Sequence, residues 1–151
     1  MKPIFQIENY SCWPVAILNT LKLFKIKHNE TENSLILKTW SKPIVWSENE
    51  DLIKTINKDL KKFIKIEKTK ENWSIEEIKE ELKKGNLVLV NYINAFSGGW
   101  NYSVIYKSDK KSFYFKDSTL WNLRLPFHMF ENNWFNSKKT IQWFFISISK
   151  K

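Results

Sequence analysis

The hydrophobic pattern of the chain changes at Gly85, and this change constrains the fold more than any other feature. Upstream of Gly85, apolar residues recur at helical spacing, most clearly over Trp13–Phe24 and Asn49–Phe63. Downstream, Leu87–Ile93 is a continuous apolar run of strand length, and shorter strand-like segments follow it. Helices followed by strands predict an α+β fold in which N-terminal helices pack on a C-terminal antiparallel sheet.

Local signals place several boundaries. Ser74 and Glu77 form a capping box, with Trp73 and Ile78 spaced as a hydrophobic staple, and the helix that they start is expected to end at Gly85. Further helices are predicted at Thr31–Thr39 and Pro126–Trp134, and further strands at Phe63–Lys68, Tyr102–Tyr106, Phe113–Phe115 and Ile141–Ile148.

Composition limits the classes of function. The 151 residues are 42% hydrophobic, which predicts a single domain over 1–151. The net charge is +9, yet only Arg124 among the 25 basic residues is an arginine, so no specific nucleic-acid site is expected. One cysteine and two histidines cannot form a disulfide or a Cys/His zinc cluster, and no cofactor or metal is expected. Without a signal peptide or an apolar span, a cytoplasmic protein is predicted, while its oligomeric state stays open.

Cys12 has the most reactive side chain in the sequence. It precedes an apolar helical run, and a helix N-terminus lowers the pKa of a thiol through the helix dipole and the free N–H groups. Cys12 is therefore a candidate nucleophile. The alternative is an ordinary small buried residue, which is the role of most single cysteines.

The neighbours of Cys12 resemble a known family. Gln6 precedes Cys12 by six residues, and the helix begins Cys-Trp-Pro-Val-Ala. Far downstream, Asn101 begins the segment Asn-Tyr-Ser-Val-Ile, and Asp117 follows it by sixteen residues. In order and spacing, these motifs resemble the bacteriocin-processing, double-glycine leader peptidases, a papain-like group of cysteine peptidases. The resemblance covers nearly the whole chain and implies a papain-like fold and a peptide substrate.

The resemblance also implies roles for the four positions. It assigns the nucleophile to Cys12, an oxyanion-hole donor to Gln6 and the acid that orients the base to Asp117. At the position of the family's base histidine this chain has Asn101, which cannot accept the thiol proton. We expect the sulfur of Cys12 to lie close to the Asn101 side chain, and the Asn101 amide to donate to Asp117. Trp13, in place of the family's glycine, would narrow the cleft.

Two hypotheses follow. The first is a catalytically impaired domain that binds a peptide or protein partner in the old substrate cleft. The second is an active cysteine peptidase that cleaves leader peptides with Cys12 and an unorthodox base, such as His128 or a group from a partner chain. The sequence places His28 in a polar surface stretch, while the resemblance puts the segment of His128 on the cleft side of the sheet.

The aromatic residues that flank the cleft are expected to be exposed, and they either belong to the core or line a peptide groove: Trp100, Tyr102 and Trp121. A third reading, a basic binder of nucleic acid or anionic surfaces, explains only the charge.

Overall fold

The computed structural model describes residues 12–39, 49–71, 73–93, 100–117, 122–129 and 144–151. In this part of the chain, four helices of at least eight residues accompany six strands. The helices are α1 (Cys12–Leu23), α2 (Glu32–Thr39), α3 (Asn49–Asp59) and α4 (Ile75–Lys83). The strands are β1 (Ile64–Glu71), β2 (Leu87–Ile93), β3 (Trp100–Ser108), β4 (Ser112–Asp117), β5 (Asn122–Pro126) and β6 (Phe144–Lys150).

All six strands form one antiparallel sheet in the order β1-β6-β2-β3-β4-β5. The predicted α+β fold, with helices packed on an antiparallel sheet, is confirmed. The sheet also contains two features that the strand pattern alone did not indicate. The last strand, β6, inserts between β1 and β2, and β1 therefore forms one edge of the sheet with a bulge between Ile66 and Lys68.

The two faces of the sheet bury separate clusters. One cluster joins α1, α2 and α3 to the sheet and includes Leu21, Leu35, Leu52, Leu89, Val104 and Ile146. The other lies on the α4 side and includes Trp73, Ile78, Val90, Ile105, Phe115 and Phe145. Alternating strand residues supply the two clusters, because successive side chains of a strand point to opposite faces.

Helix α4 has the N-terminus that its sequence predicts. The Ser74 hydroxyl accepts from the Glu77 N–H, and the Glu77 carboxylate accepts from the Ser74 N–H at 2.8 Å. Trp73 and Ile78 are both buried in the α4-side cluster, and Gly85 follows the helix with φ of 83°. Only glycine adopts this left-handed conformation without a steric cost, which explains why the chain reverses here into β2.

A buried carboxylate fastens α4 to the sheet. Glu81 is 5% exposed and accepts hydrogen bonds from the Ser147 hydroxyl of β6 at 2.5 Å and from the Asn86 amide at 2.9 Å. The Lys84 ammonium lies 2.7 Å from the other carboxylate oxygen. Each buried polar atom of this group therefore has a partner, as burial requires.

Several predicted boundaries need correction, and β3, β4 and β6 all extend beyond the segments predicted for them. The helix predicted over Asn49–Phe63 ends at Asp59 and is followed by a turn, because the chain must reverse before β1. The strand predicted over Phe63–Lys68 extends to Glu71 through its pairing with β6. The helix predicted from Pro126 starts one residue later, since Pro126 ends β5, and residues 130–143 lie outside the described part of the chain.

Candidate active site

Cys12 is the first residue of α1, as the sequence predicts. It is 4% exposed, and every residue from Cys12 to Leu21 is buried. Pro14 fits the first turn, where the absence of a backbone N–H removes no intrahelical bond. The first turn contains no acidic residue that would oppose a thiolate. The helix thus presents the thiol from a buried N-terminus.

The thiol lies against strand β3. The backbone N–H of Tyr102 donates a hydrogen bond to the sulfur of Cys12, so the sulfur lies beside the residue that directly follows Asn101. The backbone of Asn101 pairs with Tyr92 of β2, which fixes its position in the sheet. The side chain of Asn101 falls outside the described residues, and its predicted contacts with Cys12 and Asp117 remain predictions.

The environment of Cys12 favours the neutral thiol. Burial raises its pKa to about 11, while backbone hydrogen bonds from Tyr102, Trp13 and Cys12 itself lower the pKa by less than burial raises it. The negative charge of Asp117 raises the pKa of Cys12 further. At neutral pH the group is therefore almost entirely protonated, in contrast to the low thiol pKa values of catalytic cysteines.

Asp117 is the last residue of β4 and is fully buried. Its backbone pairs with Ser103 of β3, and the Ser103 hydroxyl donates a hydrogen bond to its carboxylate. The sequence analysis predicted a role for Asp117 but missed Ser103. The register of β3 against β4 would have identified Ser103, because directly opposed residues of an antiparallel pair share one face of the sheet.

A second polar pair lies next to the thiol. Tyr102 is 6% exposed, so its expected exposure is wrong, and of the two alternatives for this residue, core or peptide groove, the core is confirmed. It points into the cluster between the sheet and α1, where burial raises the pKa of its phenol and the amide of Asn91 donates a hydrogen bond to it. The carbonyl oxygen of the Asn91 side chain is buried, and it has no hydrogen-bond partner among the described residues. Trp100 and Trp121, the other two aromatics of that prediction, have no described side chains.

Neither histidine of the chain lies near Cys12. His28 follows α1, a helix roughly 17 Å long with Cys12 at its other end, and its Nδ1 accepts from the Glu30 N–H at 3.1 Å. It is half-buried between the exposed residues Lys27 and Asn29, in the polar surface stretch that the sequence predicts. His128 follows β5, whose last residue, Pro126, pairs with Ser112 at the other end of β4 from Asp117. The six residues of β4 separate these ends by roughly 17 Å, so the expected cleft-side position of His128 is wrong.

Trp13 is 2% exposed and belongs to the cluster between α1 and the sheet. Within the part of the chain that the structure describes, its indole N–H has no hydrogen-bond partner, a cost that burial of the large ring offsets. Gln6 lies outside the described residues.

Within the described ranges, no group of three or more His, Cys, Asp or Glu side chains is placed to hold a metal ion, and no helix is long and apolar enough to cross a membrane.

The six-stranded sheet, with a buried cysteine at the start of a helix packed on it, has the architecture of a papain-like fold. The comparisons with solved structures support this class. The chain is similar to the peptidase domain of Streptococcus ComA, a bi-functional ABC transporter involved in a quorum-sensing pathway, with 14% identity, 97% of both chains covered and a TM-score of 0.66. It is also similar to a C39-like peptidase from Bacillus anthracis, with 15% identity, 99% of this chain and 95% of the other covered, and a TM-score of 0.65. No family model and no curated protein matches the sequence.

Proposed function

We propose that this chain is a peptidase-like domain that binds a peptide or protein partner in the cleft at Cys12 and is impaired in cleaving it. One observation carries the proposal: the pKa of the buried Cys12 thiol is raised to about 11, and both histidines lie at other places in the fold. A cysteine nucleophile attacks as the thiolate and needs a neighbouring group to accept its proton.

Two further features support impaired catalysis. Asn101 has no titratable nitrogen, so it cannot move a proton between the thiol and a leaving amine. The negative charge of Asp117 opposes ionisation of Cys12 when no cation stands between the two groups. Loss of one member of a catalytic triad lowers the rate by roughly 10³- to 10⁶-fold in well-studied hydrolases.

The groups around Cys12 also support peptide binding. The Asn91 side chain leaves one buried carbonyl oxygen without a donor, beside Tyr102 and therefore in the neighbourhood of the thiol. An unsatisfied buried acceptor costs about 1–3 kcal/mol, and a peptide N–H would satisfy this oxygen after the side chains that cover it move aside. The likeness to a peptidase domain supports the same class of ligand.

The alternative is an active cysteine peptidase that cleaves leader peptides with Cys12 and an unorthodox base. The position of Cys12 at a helix N-terminus and the buried Asp117 nearby favour it. The position of His128, at the far end of β4, argues against this residue as the base.

The test uses a fluorescent double-glycine leader peptide, with binding followed by anisotropy and cleavage by mass spectrometry. We expect wild-type protein to bind the peptide without cleaving it, and Cys12→Ala to bind it equally well. Cleavage by the wild type that is abolished in Cys12→Ala would overturn the proposal. His128→Ala is the matched test for a relocated base, and we expect it to change neither readout.

A further inference from the structure

A cavity of about 530 Å³ lies at the opposite end of the sheet from Cys12, where the β3–β4 hairpin meets the end of β5. This volume lies within the range of roughly 300–1,000 Å³ that is typical of ligand sites. The cavity combines basic side chains with an apolar floor. The basic residues are Lys110, Lys111, Arg124 and His128, and the apolar ones are Pro126 and Phe127.

The cavity is lined by the two basic residue types that are rare in this chain, arginine and histidine. Arg124 is the only arginine among 25 lysines and arginines, and His128 is one of two histidines. A guanidinium presents a planar fork of donors that matches a carboxylate, whereas lysine offers a point charge. The most specific carboxylate-binding group that this chain has therefore lines its cavity.

Asp109 holds the arginine and the hairpin in place. One of its carboxylate oxygens accepts from the backbone N–H groups of Lys111 and Ser112, both at 2.8 Å. The other accepts from the Tyr114 hydroxyl at 2.9 Å and from Nη2 of Arg124 at 3.1 Å. The guanidinium also lies over the Tyr114 ring, 5.7 Å from its centroid, and the Arg124 side chain stays 58% exposed. Arg124 is thus oriented but accessible.

The hairpin tip adds charge that is not neutralised. Lys110 and Lys111 are exposed, and neither ammonium is paired with a carboxylate in the part of the chain that the structure describes. The floor is fixed at the same place, because the Phe127 N–H donates to the Lys111 carbonyl at 2.8 Å and the Phe127 ring packs on Phe113 with 4.7 Å between centroids.

We propose that this cavity binds an acidic peptide segment. Its carboxylates would contact Arg124 and the two hairpin lysines, and an apolar side chain would rest on Phe127. Complementary charge selects an acidic occupant, and the apolar floor favours a peptide over a nucleic acid, whose binding depends on a longer row of phosphate contacts. The proposal is independent of the chemistry at Cys12, since β4 separates the two places by roughly 17 Å.

The test measures the affinity of a fluorescein-labelled peptide of eight alternating Glu and Leu residues by anisotropy. Lys110→Gln/Lys111→Gln is expected to weaken binding about 5- to 20-fold, since each exposed ion pair contributes modestly. Arg124→Gln is expected to weaken it to a similar extent, and Arg124→Lys less. The matched control is Lys61→Gln/Lys62→Gln, which removes the same charge from an exposed turn after α3 and should change the affinity less than twofold. Cys12→Ser should leave the affinity unchanged.

Two altered peptides test the two parts of the cavity. Replacing Glu by Gln should abolish binding, and replacing Leu by Gly should weaken it at least threefold. Absence of binding to the wild type, or equal losses in the two lysine double variants, would overturn the proposal in favour of diffuse charge attraction. Tighter binding of a single-stranded oligonucleotide of equal charge, sensitive to the same cavity variants, would overturn it in favour of a nucleic-acid site.

Discussion

Two acidic side chains of this protein are buried to nearly the same extent, yet the pKa of one is raised and the pKa of the other is lowered. Cys12 is 4% exposed and Glu81 is 5% exposed. Burial raises the pKa of both groups, and for Cys12 the result is a pKa of about 11. For Glu81, hydrogen bonds from Lys84, Ser147 and Asn86 outweigh burial and lower the pKa to about 2.

The difference lies in the partners. Glu81 has an ammonium, a hydroxyl and an amide directed at its two oxygens. Cys12 has backbone N–H groups, and the charge of Asp117, which raises its pKa, is negative. Depth of burial therefore does not decide ionisation in this fold. The protein stabilises the carboxylate of Glu81, which attaches α4 to the sheet. It does not stabilise the thiolate of Cys12, which a peptidase would need as its nucleophile.

The largest expected effect comes from supplying the missing cation. In Asn101→His, we expect the pKa of Cys12 to fall from about 11 to below roughly 8, because an imidazolium stabilises the thiolate. The measurement is the ¹³Cβ chemical shift of the single cysteine as a function of pH. Asn29→His, in an exposed loop, is the control and should leave this titration unchanged. An unchanged titration in Asn101→His would mean that position 101 does not face the thiol.

The next effect tests the other side of the comparison. Glu81→Ala removes the acceptor shared by Ser147 and Asn86 and leaves their buried donors unpaired. We expect the free energy of unfolding to fall by about 3–5 kcal/mol, measured by urea denaturation. Glu80→Ala, at the adjacent exposed position, should lower it by less than about 0.5 kcal/mol. Similar losses in both variants would show that the network of Glu81 is not stabilising.

Acid should remove the same contribution without a mutation. Because the pKa of Glu81 is lowered from 4.5 to about 2 on folding, its contribution is fully present above pH 4.5 and is lost as the pH falls towards 2. We expect a loss on the order of 2–3 kcal/mol over this window. Urea denaturation of wild type and Glu81→Gln between pH 6 and pH 2 gives the difference, which should shrink as the pH falls. A difference that stays constant would contradict the lowered pKa.

The smallest effect concerns the charge beside the thiol. Asp117→Asn keeps an acceptor for the Ser103 hydroxyl and removes a negative charge, so the pKa of Cys12 should fall to roughly 10. The ¹³Cβ titration measures this change. Asp109→Asn removes a carboxylate at the far end of β4 and should have no effect on it. A rise of the thiol pKa in Asp117→Asn would mean that the carboxylate favours the thiolate.

The sequence predicted those features that short-range patterns encode. The capping box at Ser74 and the bounds of β2 were correct, because both depend on residues within a few positions of each other. The position of Cys12 at the start of α1 was correct for the same reason. The insertion of β6 beside β1 was not predictable, since strand order depends on packing between distant segments.

The site was predicted only where a motif marked it. Ser103 was missed, because its contact with Asp117 follows from the register of β3 and β4, which the sequence does not specify. The choice between core and groove for Tyr102 stayed open, because the spacing does not say which face of β3 meets α1. The resemblance predicted that the segment of His128 lies on the cleft side of the sheet. This prediction was wrong, because the resemblance does not specify at which end of the sheet β5 ends.

Strand β1 has a consequence for the behaviour of the protein in a crowded solution. An edge strand offers unpaired backbone groups on which a second molecule can build an intermolecular sheet. The outer half of β1 is the exposed run Glu67, Lys68, Thr69, Lys70 and Glu71, and it starts at the bulge after Ile66. Lysines on an irregular edge disfavour a regular ladder with another chain. This strand therefore protects a chain rich in aromatic residues from aggregation.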